Sequence, residues 1–84
     1  MKLYVGNLPY SVTSEKLKEI FSKFGEVVDA VIITDKFNNN RSKGFGFVEF
    51  ANDADAKKAI EELNEKEYEG RNMKVNEARP KESN

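Results

Sequence analysis

Eighty-four residues with no Cys and no His make one small domain. They leave out a disulfide framework, thiolate chemistry, and the commonest general base and metal ligand. The formal net charge of −1 argues against a uniformly basic surface, and no apolar run approaches the ~20 residues of a membrane-spanning helix.

In chain order, residues 2–7 form the first predicted strand. Leu3 and Val5 share one face, with Lys2, Tyr4 and Gly6 on the other. An aromatic thus sits opposite the apolar side, next to a Lys, and Pro9 bars continuation. This strand follows directly on Met1 and leaves no space for a signal peptide. A cytoplasmic protein is the expectation, or a nuclear one if the source is eukaryotic. Thr13 is a good cap for a helix over residues 14–24, whose stripe Leu17, Ile20, Phe21, Phe24 follows helical spacing until Gly25 ends it. Residues 27–34 are apolar and β-branched enough for a second strand. The polar run Phe37-Asn38-Asn39-Asn40-Arg41-Ser42 suits the tip of a hairpin into the next strand.

That next strand, residues 43–50 (KGFGFVEF), is the most informative segment. At strand period, Lys43, Phe45, Phe47 and Glu49 share one face, and Gly44, Gly46, Val48 and Phe50 the other. Val48 and Phe50 are ordinary core material. Two large aromatics are then left between a cation and an anion. Flat apolar rings beside a Lys are what stacking on a nucleic-acid base requires. Phenylalanines two apart on a strand are equally often core under a second layer. The glycines do not form a phosphate cradle: the run ends in Glu49 where the dinucleotide pattern needs a third Gly, and no GxxxxGK[ST] occurs.

Asn52, with Asp55 three residues later, starts a second helix whose stripe is Ala56, Ala59, Ile60, Leu63. Glu69-Gly70-Arg71 turns into a last strand over residues 72–77, with Met73 and Val75 inward. The whole reads as one domain over residues 1–79 with a polar tail at 80–84, and no internal repeat or linker.

Taken together, the chain resembles the RNA-recognition-motif family. KGFGFVEF fills all eight positions of that family's longer ribonucleoprotein motif (basic, Gly, aromatic, small, Phe, Val, any, aromatic), and LYVGNL at residues 3–8 looks like its six-residue partner. The outline is similar to that of single-domain bacterial and glycine-rich cold-inducible members.

The element order independently gives an α+β fold: a ferredoxin-like βαββαβ sandwich with an antiparallel four-stranded sheet in order 4-1-3-2 and both helices on one face. Leu3, Val5, Val48, Phe50, Met73 and Val75 meet the helices. The opposite face has no element left to cover it, so Tyr4, Phe45 and Phe47 lie exposed. Charge divides along the same lines. From Asp53 to Glu69 there are seven acids against Lys57, Lys58 and Lys66, whereas the strands and their flanks carry Lys2, Arg41, Lys43, Lys74, Arg79 and Lys81.

The resemblance implies single-stranded RNA as the partner, bound by a monomer without cofactor or metal. Tyr4 and Phe47 would each support one base and Phe45 would pack against sugars. Lys43 and Arg41 are placed for phosphates, with Lys2 beside them. Lys74, Asn76 and Arg79 match positions that read base edges, along with the main chain of Glu77 and Ala78. Val31 and Ile33 face the RNA unless a bulge shifts their register. Asn7 reaches either the ligand or a nearby turn. Glu49 and Glu77 place negative charge near the sheet and lower the expected affinity. Single-stranded DNA is a second expected ligand, because little identifies a reader of the 2′-OH.

Three alternatives remain beside this reading. An RNA chaperone would use the same residues on weakly structured RNA. A protein-binding version of the fold would normally lack the three aromatics. An acylphosphatase-like enzyme would need an Arg in Leu8-Pro9-Tyr10-Ser11-Val12, which has none.

Overall fold

The computed structural model describes residues 1–35 and 41–78, and, within that range, not the side chains of Asp35, Arg41, Ser42 and Lys43. Arg79 and the polar tail therefore lie outside the described residues, as does the stretch 36–40 of the expected hairpin loop.

Strand β1 (Lys2–Gly6) leads through a loop to helix α1 (Ser14–Phe21) and a short 3-10 turn (Ser22–Phe24). The Thr13 side chain accepts a hydrogen bond from the Lys16 backbone N–H at 3.1 Å, satisfying one of the unpaired donors at the helix start. The expected single helix to residue 24 tightens after Phe21, where Ser22 returns its Oγ–H to the Lys18 carbonyl at 2.5 Å. Strand β2 (Val27–Asp35) pairs with β3 (Arg41–Phe50), so Arg41 and Ser42 belong to the strand rather than to the polar loop. Helix α2 (Asp53–Leu63) starts on Asn52, whose Oδ1 accepts from the Ala54 N–H at 2.8 Å.

The four long strands form one antiparallel sheet in the order β2-β3-β1-β6, with β6 (Lys74–Glu77) as the last strand. This is the expected order read from the other edge. The last strand is shorter than the expected 72–77, because Asn72 belongs to another hairpin and Met73 lies between the two. Strands β4 (Glu67–Tyr68) and β5 (Arg71–Asn72) close a small separate hairpin before β6 begins. Met73, between β5 and β6, exchanges backbone hydrogen bonds with the α2–β4 loop: its N–H donates to Lys66 O and its carbonyl accepts from the Glu65 N–H. Asn64 Oδ1 also accepts from the Val75 N–H at 2.9 Å. The edge at Met73 and Val75 is thereby bonded to its own chain, which shortens the template left for pairing with another molecule.

The core lies on one side of the sheet. Leu3, Val5, Ile32, Val48, Phe50 and Val75 meet Leu17 and Phe21 of α1 and Ala56, Ala59 and Leu63 of α2, all buried. Phe21 and Phe50 stack edge to face with centroids 6.3 Å apart. Leu8 and Val12 from the β1–α1 loop complete this layer. Ile20, Phe24 and Ile60 are only partly buried at its margin. No helix among the described residues is long and apolar enough to cross a membrane.

Candidate nucleic-acid interface

The pairing register sets which side chains share the outer face. Tyr4 stands opposite Phe47 on β3 and opposite Asn76 on β6, and Phe47 stands opposite Val31 on β2. Partners across an antiparallel ladder point the same way. One row therefore runs Asn76, Tyr4, Phe47, Val31 across the sheet. The next row toward the end of β1 carries Lys74 opposite Gly6, and Phe45 beside them by the strand period.

Tyr4, Phe45 and Phe47 form a three-ring patch. Tyr4 is 5.8 Å from Phe45 and 5.9 Å from Phe47, and the two phenylalanines are 6.4 Å apart and nearly perpendicular. These rings are half-buried rather than open to water, because each covers part of its neighbours. No described element lies over them. Gly6 is what allows the arrangement: a methyl group there would lie 2.6 Å from Tyr4 Oη, so the Tyr4 ring rests along the strand over the bare backbone.

Charged groups flank the patch unevenly. Lys2 Nζ sits 5.3 Å from the centre of the Phe47 ring, within reach of a cation–π contact. Glu49 stands between Lys2 and Asp29 in the pairing. Glu77 pairs with Leu3, whose side chain is in the core, so strand alternation turns Glu77 away from the aromatic side. Lys74 is not simply a cation on offer. Its Nζ is 2.6 Å from Glu65 Oε2, with both side chains about half exposed. Arg41 and Lys43 lie on β3 by their backbone, whereas Arg79 falls outside the described residues. On the helix side, the Glu19 carboxylate accepts a hydrogen bond from Lys16 and holds that ammonium above its ordinary pKa. Among the described residues, no three carboxylates converge where a metal ion could sit.

At β2 the register shifts between Ile32 and Thr34. Val31 stays on the outer face at 39% exposure, while Ile33 falls in the irregular stretch and is half-buried. The Ile32 N–H, on this edge strand, donates to Ser14 Oγ at 2.9 Å. Asn7, left open between ligand and turn, takes the turn role. It adopts a positive φ of 56°, donates to Asn72 O at 2.8 Å and accepts from Arg71 Nη1 at 3.2 Å.

Two exposed residues beyond the end of β1 have no counterpart in the sequence reading. Tyr10 is 65% exposed, and the Arg71 guanidinium lies 5.5 Å from its ring centre. The Tyr10 ring lies against Gly44, where a methyl would be 3.3 Å from Tyr10 Cε1. A tyrosine directly after Pro9 in a loop was the one available signal.

Comparison with known proteins gives this geometry a context. A sequence model of the RNA recognition motif matches residues 3–74. The chain is 46% identical over 82 residues to RbpF of Nostoc sp., covering 98% of this chain and 77% of that protein. Its fold matches that of the crystal structure of RNA binding protein PG1 with a TM-score of 0.89 at 47% identity, over 96% of this chain and 99% of that one. The Rna15 RNA recognition motif with bound RNA (GU) matches with a TM-score of 0.82 at 28% identity, over 92% of this chain and 81% of that one.

Proposed function

The chain belongs to the RNA recognition motif family, and from that premise we propose that it binds single-stranded RNA across the outer face of its sheet. The observation that carries this reading is the triad of Tyr4, Phe45 and Phe47, with centroids 5.8 to 6.4 Å apart on a side of the sheet that no helix among the described residues covers. Base stacking on such rings is tolerant of sequence and contributes roughly 1–3 kcal/mol per base.

In this reading Tyr4 and Phe47 each support one base, and Phe45, tilted against Tyr4 and perpendicular to Phe47, packs against the sugars between them. Lys2, Arg41 and Lys43 contact phosphates, which position the strand without specifying its sequence. Asn76 shares the Tyr4 row and reads a base edge there. Lys74, opposite Gly6, and Arg79 are the further base-edge readers in this proposal. Affinity for one such module is in the micromolar range, about −8 kcal/mol. Single-stranded DNA binds the same rings, because stacking does not distinguish the sugars.

Fluorescence anisotropy with short single-stranded RNAs tests the reading on the wild type, Phe47→Ala and Tyr4→Ala. Each variant is expected to stay folded by circular dichroism and to lose roughly 1–3 kcal/mol of binding. Unchanged affinity in a folded variant would remove stacking from the mechanism. Unfolding of either variant would show that these rings serve the core instead.

A further inference from the structure

We propose that the helix side of the sheet carries a docking site for another protein: a groove between α1 and the α2–β4 turn that takes one aromatic side chain from a segment flanked by Asp or Glu. The groove lies across the sheet from Tyr4, Phe45 and Phe47, and the inference does not depend on the RNA-binding reading.

The groove arises because the apolar stripe of the first helix is wider than the core it serves. Helical spacing puts Leu17, Ile20, Phe21 and Phe24 on one face, yet only Leu17 and Phe21 are fully buried. Ile20 and Phe24 stop half-buried at the core margin, and across the gap from them stands Tyr68 of β4, half-buried as well. Between these walls lies an open volume of about 190 Å³, with the buried Leu63 and Met73 at its base. An apolar cavity of roughly 150 Å³ holds a benzene molecule, so one aromatic ring fits here. Phe24 and Tyr68 offer their own rings to it on either side.

The rim selects the charge of the partner. Lys23 and Lys66 line the groove against one acid, Glu67. Both lysines are exposed. The ion pairs among the described residues are those of the Met1 amine with Asp53, Lys16 with Glu19, and Lys74 with Glu65, so neither rim ammonium has a carboxylate partner. A local excess of positive charge around an apolar slot is notable on a chain of net charge −1. Carboxylates on each side of a buried aromatic residue complement it, with the ring supplying affinity and the charges supplying orientation. A basic segment is repelled by the same rim.

The probe is the blocked peptide EEFEE, titrated into isotope-labelled protein and followed by amide NMR shifts, with EEAEE and KKFKK as controls. EEFEE is expected to move the amides of Ile20, Phe24, Tyr68 and Met73 and to leave those of Tyr4, Phe45 and Phe47 in place. EEAEE should bind about tenfold more weakly, because the slot stays empty, and KKFKK should not bind. Lys23→Glu combined with Lys66→Glu alters only exposed side chains. It should weaken EEFEE about fivefold at low salt and let KKFKK bind. Lys66→Gln alone should move EEFEE affinity the same way by less, which covers the case in which the double variant does not fold. Saturating single-stranded RNA should leave EEFEE affinity unchanged. Absence of EEFEE binding, equal binding of EEFEE and EEAEE, shifts on the sheet instead of the groove, or displacement by RNA overturns the site. Dimerisation in sedimentation that moves the same groove amides without peptide also overturns it, by making a second copy the occupant. The RNA-binding reading is decided separately, by Phe47→Ala and Tyr4→Ala.

Discussion

Gly6 and Gly46 are both small because something lies against them, but the obstacles differ in kind. Next to Gly6 the obstacle is the far end of the Tyr4 side chain, with Oη 2.6 Å from where a methyl would sit. A ring can swing away. At Gly46 the obstacle is the Val31 carbonyl oxygen together with the Ile32 Cα, so a methyl would have to part the backbones of β2 and β3. The two alanine substitutions should therefore separate. Gly46→Ala is expected to lose on the order of 1–3 kcal/mol in urea denaturation, as overpacking does. Gly6→Ala should leave stability nearly unchanged and weaken RNA binding, because the displaced Tyr4 ring no longer keeps its place beside Phe45 and Phe47. Stability loss from Gly6→Ala with normal binding would mean that Tyr4 is a packing residue, not a platform.

Strand alternation made the long strands and their faces legible: Leu3 and Val5 inward, Tyr4 outward, Val48 and Phe50 inward between Phe45 and Phe47. Helix spacing did the same for Leu17, Phe21, Ala56, Ala59 and Leu63. What period could not show is where backbone bonds replace a ladder. Met73 alternates with Val75 as though one strand ran through both, yet the Met73 backbone pairs with Glu65 and Lys66. The turn residues that allow this, Glu65 and Glu69, take φ values of 69° and 51°, a conformation usually signalled by Gly or Asn. The turn at Gly70 was legible, but the short strand Glu67–Tyr68 before it was hidden for that reason. So were its two consequences at the interface, Arg71 beside Tyr10 and Glu65 on Lys74. The second has a testable effect. An ion pair between half-exposed side chains contributes only ~0–1 kcal/mol to stability, but it occupies the Lys74 ammonium that RNA would use. Glu65→Gln should leave the thermal melt nearly unchanged and raise RNA affinity. Glu61→Gln on α2 alters net charge equally and should change affinity less. An equal rise in both would trace the effect to bulk charge, and a fall for Glu65→Gln would show that the pair holds Lys74 in its binding pose.

At the scale of the whole molecule, a formal charge of −1 has to be reconciled with a polyanionic ligand. The acids from Asp53 to Glu69 lie mainly along α2 and the turns after it, whereas Lys2 lies over Phe47 on the other side of the sheet. Within a Debye length of about 8 Å at physiological salt, a phosphate on the aromatic face responds to the local cations more than to the distant acids. The number of cations engaged is then readable from salt dependence. Contact with three or four phosphates by Arg41, Lys43 and the Arg79 region should give a slope of log affinity against log salt of about −2 to −3, at roughly −0.7 per phosphate on a single strand. Stacking releases no counterions, so Phe47→Ala should lower affinity at every salt concentration and leave the slope unchanged. Lys43→Ala should make the slope shallower by less than one unit and weaken all RNA sequences alike. A slope steeper than about −5 would place a larger basic surface in control of binding. A slope near zero, with binding intact, would mean that the phosphate backbone is not engaged, and the half-buried rings would then have to be explained by an apolar protein partner.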